Sequence, residues 1–338
     1  MSRAISSRNT VPGRRRQRGL TMVELLVALV LSTLIALAAV SSLIVASRGF
    51  STVDAASQLR DNGRFATELI QRIAQQGGFL DIPDAVNAIT NGAGAAVPPP
   101  YVFGFDNAVM NLTAEPVPTH TIAGNRTHTT GGCTSPTDTA CVNQADVLVM
   151  RFQTPATVAG GTLGDKSTIN CAGITRTDAS INRNDLAVSV FHVAVGSDGE
   201  PSLMCGHQSK SGVWQGSEPI IQGVETFQVL YGVDGVTPNN ATLTTPDSIA
   251  ERYLRADQII VAGNPAATEA NWRRVRSMRI GMVLRGPIGS SQDRGVNRKK
   301  DFYPLGVSDP GTKLTTPDDG RLRQVVSFTV YLRNYVGL

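Results

Sequence analysis

Residues 19–47 of the 338-residue chain have the sequence GLTMVELLVALVLSTLIALAAVSSLIVAS. After Glu24, no charged residue occurs until Arg48. The uncharged run 25–47, folded as an α-helix with a rise of about 1.5 Å per residue, is about 35 Å long. This length exceeds the ~30 Å hydrocarbon thickness of a bilayer. We therefore predict a single membrane-spanning helix near the N-terminus.

The segment before this stretch is strongly basic. Residues 1–19 contain six arginines and no acidic residue, so they account for more than the net charge of +4. A basic leader keeps the N-terminus in the cytoplasm and places the residues beyond 48 across the membrane. The remaining body is slightly acidic, which argues against a general nucleic-acid-binding protein. With 41% hydrophobic and 17% charged residues, the composition also excludes wholesale disorder, collagen and a polytopic membrane protein.

An ordinary secretory signal has a shorter apolar core followed by a small-residue cleavage site, and no convincing site follows here. Instead, residues 19–28 (GLTMVELLVA) resemble the class III signal of type IV prepilins and type II secretion pseudopilins. The resemblance implies that a prepilin peptidase removes leader 1–19 by cleaving between Gly19 and Leu20, and that Leu20 is then N-methylated. Glu24 would become the fifth mature residue, where the family carries its glutamate. The family more often has phenylalanine at the first mature position, so Leu20 departs from the pattern.

Glu24 also has an interpretation that needs no partner subunit. Thr21 and Glu24 have the spacing of a capping box, in which both side chains satisfy amide donors at a helix start. A carboxylate in the bilayer costs a few kcal/mol and tends to have a partner, which in a filament would be the free amine of a neighbouring Leu20. Both interpretations stay open, although the leader, Gly19 and the long uncharged run favour the pilin interpretation.

The helix is predicted to continue beyond the membrane. An apolar stripe recurs at spacings of three and four, widened by Leu69, and consists of Ala56, Leu59, Gly63, Ala66, Ile70 and Ile73. Gly77-Gly78 ends the pattern. We predict one helix over 20–76, with residues 20–47 in lipid and the second half packed on the protein's own sheet. A membrane-proximal coiled coil would give a similar stripe.

The remainder, residues 77–338, is predicted to be a globular β-rich domain. Residues 81–145 are rich in Asn, Thr, Gly and Pro and indicate long loops. Strand patterns follow at 146–152, 186–195, 220–231, 276–285 and 325–333, the last two with clean period-two alternation. Because no helix of comparable strength separates these strands, the sheet should be mainly antiparallel. The predicted fold class is α+β, with the long helix packed on an antiparallel sheet.

Three segments resemble minor pilins of the PilW type: 58–72 in the helix, the strand 275–285 and the ending 330–334. The resemblance implies a non-enzymatic subunit of a type IV pilus, held in the inner membrane before assembly and extracellular afterwards. It implies contacts with minor pilins of the FimU, PilV, PilX and PilE types, the major pilin and a PilY-class tip adhesin. A J-type pseudopilin of type II secretion shares this plan but is usually shorter. A signal-anchored periplasmic enzyme or binding protein is the alternative from a different class.

All four cysteines fall in the exported part, and an even number in an oxidising compartment indicates two disulfides. We expect the pairs Cys133–Cys141 and Cys171–Cys205, although four cysteines allow three pairings. A zinc site using His120, His128 or His207 is the alternative, but no tight ligand pair such as C-x2-C occurs. We expect neither a metal nor a cofactor.

Two further segments resemble binding motifs only superficially. In residues 160–168 (GGTLGDKST), Asp165 interrupts the Gly-Lys pair that a phosphate loop requires. Residues 272–279 (WRRVRSMR) mix aromatic and basic side chains, as nucleic-acid surfaces do. A solvent-facing strand edge protected by charge explains them more simply, so we expect no nucleic acid as a partner.

Overall fold

A computed structural model of the chain describes residues 19–81, 100–108, 110, 142–182, 185–291, 300–309, 313–317 and 319–334. The chain divides into two compact units, residues 1–50 and 51–338. Most of the leader 1–19 lies outside the described residues, as do Cys133, Cys141, His120 and His128.

The first element is one uninterrupted helix, α1, from Met22 to Gln76. Its start at Met22 rather than at residue 20 follows from Thr21, whose side chain caps the first turn. It ends at Gly77, whose N–H still donates to the carbonyl of Ile73 at 3.1 Å. The helix predicted over 20–76 is therefore confirmed to within two residues.

The β-structure forms three antiparallel sheets. The five-stranded sheet has the order β1-β2-β3-β4-β5, with β1 Val102–Phe105, β2 Val147–Phe152, β3 Ala187–Val195, β4 Pro201–Gln208 and β5 Trp214–Gln222. The four-stranded sheet has the order β11-β8-β6-β7, with β6 Val224–Val233, β7 Arg252–Leu254, β8 Val275–Arg285 and β11 Arg323–Tyr331. A small ribbon pairs β9 Lys300–Phe302 with β10 Leu314–Thr316. The helices α2 Ala256–Ile259 and α3 Pro265–Trp272 and a 3₁₀ turn at Val142–Gln144 complete the fold.

The single strand predicted over 220–231 is wrong, because the chain there belongs to two strands in two different sheets. Gly223 separates β5 from β6 with a φ of +84°, a left-handed conformation that favours glycine. A Cβ at this position would lie 2.5 Å from the carbonyl oxygen of Arg285. This one residue lets the chain pass from the five-stranded to the four-stranded sheet.

Residues 51–76 of α1 share one hydrophobic core with both large sheets. The buried positions are Ala55, Leu59, Gly63, Ala66, Ile70, Ile73 and Ala74. The prediction that the stripe packs on the protein's own sheet is thus confirmed, but its first member is Ala55, and Ala56 is only half-buried. Since Ala55 and Ala56 lie four and three residues before Leu59, both spacings fit a helical stripe.

The central strand β8 is buried on both faces, which its alternating sequence did not indicate. Met278 and Ile280 point into the core, as predicted. On the opposite face, Ser277 is also buried and donates a hydrogen bond to the Tyr253 hydroxyl at 3.2 Å. Arg279 lies over the Tyr253 ring, with its guanidinium carbon 4.5 Å from the ring centre. The alternating sequence did not predict this burial, because polar side chains can be buried when they have partners of this kind.

The helix α1 approaches the four-stranded sheet closely at Gly63. A Cβ built there would lie 2.8 Å from Val326 Cγ2 on β11, which is closer than carbon atoms normally pack. Gly63 therefore sets how near α1 lies to the four-stranded sheet.

We predict that Gly63→Val lowers the free energy of unfolding by about 1–3 kcal/mol, because the added methyl groups overpack the contact with Val326. Denaturant unfolding of the full-length chain in detergent micelles measures this change. Ser57→Val, on the exposed side of the same helix, is the matched control and should change stability by less than about 0.5 kcal/mol. Equal stability of the two variants would contradict the close contact.

Candidate functional site

The apolar half of α1 has no covering. Every large apolar side chain from Leu20 to Val45 is exposed, with exposed fractions from 46% for Ile44 to 81% for Met22. A continuous apolar surface of this size is unstable in water and marks a membrane or protein contact. This helix is long and apolar enough to cross a bilayer.

The polar side chains inside the apolar half are satisfied within the helix. Ser32, Thr33 and Ser41 each donate their hydroxyl hydrogen to the carbonyl three residues earlier, at 2.8–2.9 Å. In a bilayer every polar group must be satisfied internally, since no water is available. The segment therefore presents a uniformly apolar surface despite these hydroxyl groups.

The capping box at the start of α1 is formed. The Thr21 N–H and the Thr21 hydroxyl both donate to Glu24 Oε2 at 2.9 Å, and the Glu24 N–H donates to Thr21 Oγ1 at 3.2 Å. Glu24 is exposed, so these contacts leave its carboxylate accessible to a further cation. The two interpretations of Glu24 are compatible, because an acid that caps its own helix can still attract a neighbouring amine.

The sequence places the predicted cleavage site just outside the helix. Gly19 and Leu20 are exposed and precede the first helical residue, Met22. A Cβ added at Gly19 would meet no atom within 4 Å. The fold itself therefore does not require glycine at this position.

The far end of α1 is capped by the end of the chain. The Asn334 side-chain amide donates to the carbonyl oxygens of Gln75, at 2.8 Å, and Gly77, at 3.3 Å. The last carbonyls of a helix have no intrahelical partner, so Asn334 satisfies part of that requirement. The sequence analysis noted the ending 330–334 only as a resemblance and missed this role.

An ion-pair cluster joins the two large sheets. Its pairings were not predicted from the sequence. The cluster comprises Glu200, Glu225, Asp319, Arg285, Arg321 and Arg323. Glu200, just before β4, accepts hydrogen bonds from Arg321 Nη2 at 2.7 Å and from Arg285 Nη2 at 2.8 Å. Glu225 in β6 accepts a hydrogen bond from Arg323 Nε at 2.6 Å. The cluster thus links β4 of one sheet to β6, β8 and β11 of the other.

The cluster forms one wall of a cavity of about 340 Å³ beside α1. Leu59 and Asn62 of the helix line one side, and Glu200, Arg285 and Arg321 line the other. Glu200 pairs with both arginines, Arg285 also pairs with Glu225, and Arg321 lies beside Asp319, so the charges are balanced within the cluster. The cavity therefore offers no uncompensated charge from them to hold an ionic ligand.

The disulfide Cys171–Cys205 is present and agrees with the predicted pairing. It connects the loop after β2 to strand β4 across 34 positions of sequence, a loop length at which a cross-link contributes about 3–4 kcal/mol in the chain-entropy account. Oxidation of both sulfurs removes them as zinc ligands. His207, the described member of the alternative zinc set, is buried beside the Cys205 carbonyl.

The other titratable groups are engaged within the fold. Burial lowers the pKa of His192 to about 4, and its Nε2 lies 2.8 Å from Ser217 Oγ, so this histidine is neutral at pH 7. The carboxylates of Asp234, Asp247 and Glu251 lie close together, but Arg276 already pairs with Asp234 at 2.8 Å.

The basic segment 272–279 does not form an exposed strand edge, and that explanation of its charges is wrong. Trp272 ends α3, Arg273 and Arg274 connect the two elements, and residues 275–279 belong to the central strand β8. Arg276 is buried against Asp234, and Arg273 pairs with Glu269 at 2.9 Å. These partners explain the arginines without a nucleic acid.

Comparison with known families relates both parts of the chain to pili. Residues 190–334 match the family described as Type IV Pilus-assembly protein W, PilW, and residues 14–40 match the prokaryotic N-terminal methylation motif. The first match runs from β3 to Asn334 and includes the ion-pair cluster, and the second includes Gly19, Leu20 and Glu24. The chain is therefore similar to the PilW family over residues 190–334. Its methylation motif and apolar helix fit anchoring in the inner membrane before incorporation into a type IV pilus.

Among solved structures, the chain is similar to a type IV-like pilin from Thermus thermophilus. The two share 16% identity over 57% of this chain and 81% of the other, with a TM-score of 0.32. No curated protein sequence matches the chain.

The ion-pair cluster makes the stability of the globular domain depend on pH. Hydrogen bonds from Arg321 are the main cause that lowers the pKa of Glu200 below its ordinary value of 4.5. A carboxylate with a lowered pKa stabilises the fold above its unfolded pKa, and this contribution is lost as the pH falls through the folded pKa.

We predict that Glu200→Gln lowers the free energy of unfolding by about 2 kcal/mol at pH 7, because Arg285 and Arg321 lose a charged acceptor. The deficit should shrink as the pH falls through the lowered pKa of Glu200, where this carboxylate becomes protonated in the unsubstituted chain. Unfolding of both proteins at a series of pH values measures the difference. Glu218→Gln, at an exposed position of β5, is the matched control and should show little deficit at any pH. A deficit independent of pH would contradict the electrostatic role of Glu200.

Proposed function

We propose that this minor pilin helps to initiate type IV pilus assembly and forms part of the complex at the pilus tip. The observation that carries the proposal is the bare apolar helix with one carboxylate, Glu24, in its first turn. The role is structural rather than catalytic.

The proposed mechanism is the transfer of the apolar half of α1 from lipid into a bundle of similar helices. Its side chains stay out of water in both environments, so the transfer does not expose apolar surface. Because lipid is as apolar as a helix bundle, the hydrophobic effect alone contributes little free energy to the transfer. Glu24 favours the bundle, since a carboxylate in an apolar environment is stabilised by a cationic partner.

We propose that the cation is the amine of Leu20 on a neighbouring subunit, created when prepilin peptidase cleaves after Gly19. The exposed position of Gly19 and Leu20, outside the helix, supports access by a peptidase. Since the fold leaves space for a Cβ at Gly19, a requirement for glycine there would come from the peptidase. Residues 1–19 are then the leader, and residues 77–338 form the exported domain.

Partners follow from the PilW type. We propose contacts with minor pilins of the FimU, PilV, PilX and PilE types, with the major pilin and with a PilY-class adhesin. The ion-pair cluster holds the two sheets of the domain together, and the disulfide fixes the loop after β2 to β4, which supports a rigid body for such lateral contacts.

We predict that Glu24→Gln reduces the amount of this chain in sheared pili at least severalfold, while its amount in the inner membrane stays unchanged. The number of pili per cell should fall, but their length should not, because initiation is affected. Immunoblots of the two fractions and electron microscopy, in cells lacking the native copy, measure both quantities.

Thr21→Ala separates the two roles of Glu24. It removes the hydroxyl of the capping box but keeps the carboxylate, so incorporation should be close to that of the unsubstituted chain. An equal loss for Thr21→Ala and Glu24→Gln would show that helix capping is what matters. Normal pili together with a defect in protein secretion would indicate a J-type pseudopilin instead.

A further inference from the structure

The disulfide Cys171–Cys205 holds the loop between β2 and β3 to β4, and an ion pair between Arg176 and Asp185 joins two points within the loop. A cavity with a volume of about 10 Å³ lies between this loop, Val188 of β3 and Gln208 of β4.

Three of the residues that line this cavity each carry a buried polar atom without a hydrogen-bond partner among the described residues. These atoms are Thr154 Oγ1, Thr168 Oγ1 and Arg176 Nε. Thr154 is 1% exposed and Thr168 is 6% exposed, so bulk water does not satisfy them. Buried polar groups are nearly always hydrogen-bonded, and three unsatisfied atoms around one cavity indicate a common partner.

The chemistry of these atoms restricts that partner. Arg176 Nε can only donate, whereas the two hydroxyl groups can donate or accept. The positive charge of Arg176 is already balanced by Asp185, with Nη1 and Oδ1 2.9 Å apart. The ligand must therefore be neutral and must both accept and donate. A cavity of this volume with two to four polar partners accommodates one water molecule and nothing larger.

We propose that Thr154, Thr168 and Arg176 bind a single internal water molecule. The water accepts the Nε hydrogen of Arg176 and exchanges hydrogen bonds with the two threonine hydroxyls. It cross-links three separate points of a loop that has little regular secondary structure. Together with the nearby disulfide, it fixes the loop against β3 and β4.

Threonine-to-valine substitutions test the proposal, because a bound water and a dry cavity predict opposite changes in stability. If the water is bound, Thr168→Val removes one of its hydrogen bonds and raises the unfolding equilibrium constant about fivefold. If the cavity is dry, the same change removes an unsatisfied hydroxyl and leaves the protein equally or more stable, which would overturn the proposal. Denaturant unfolding of the full-length chain in detergent distinguishes these outcomes.

The double variant and a control sharpen the measurement. Thr154→Val and Thr168→Val should combine non-additively, because both act through the same water. Thr162→Val, exposed in the same loop, should leave the equilibrium constant unchanged. Strict additivity of the two buried substitutions would count against a shared ligand.

A crystal structure of the full chain, at a resolution that shows ordered water, provides the direct observation. We expect one density peak within hydrogen-bonding distance of all three atoms, and its disappearance or displacement in Thr168→Val. A cavity without density would overturn the proposal, even if one of the variants failed to fold.

Discussion

The apolar surface of α1 from Leu20 to Val45 needs a non-aqueous environment, and the rest of the molecule depends on this constraint. No side chain of this segment is buried within the chain, so lipid or other helices must cover it. The hydroxyl groups of the segment are bonded to its own backbone, which leaves Glu24 as the charged group at its start. An apolar helix with one acidic residue can move from a bilayer into a helix bundle. The acidic residue then gives the helix a preferred position in the bundle.

The second half of α1 is under a different constraint, because it packs in the core of the globular domain. Gly63 allows close contact with Val326, and Asn334 caps the helix end, so the last strand and the chain terminus both hold the helix. The ion-pair cluster then connects the five-stranded sheet to the four-stranded sheet. The domain that follows the membrane helix is thereby fixed by contacts between residues far apart in sequence.

The sequence predicted those elements whose hydrophobic pattern repeats regularly. The helix, strand β8 and strand β11 have clear periodicity, and their positions were predicted to within two residues. Strand β4, with the sequence PSLMCGHQ, has no alternation and was missed. The break at Gly223 was also missed, because its apolar neighbours on both sides continue one run.

Within the candidate sites, local motifs were predictable and long-range contacts were not. Gly19, Leu20 and Glu24 form a contiguous motif, and the methylation motif matched there includes all three. Glu200 and Arg321 are separated by 121 positions, so only the fold shows that they pair. The burial of Arg276 against Asp234 was likewise invisible, since a sequence of arginines indicates a charged surface until their partners are known.

The mass of the N-terminal peptide of the chain, isolated from sheared pili, tests the central claim most directly. The account predicts a peptide that begins at Leu20 and carries one additional methyl group, and a Gly19→Ala chain that keeps its leader and stays in the membrane. Pili that contain the chain with residues 1–19 still attached would contradict the account.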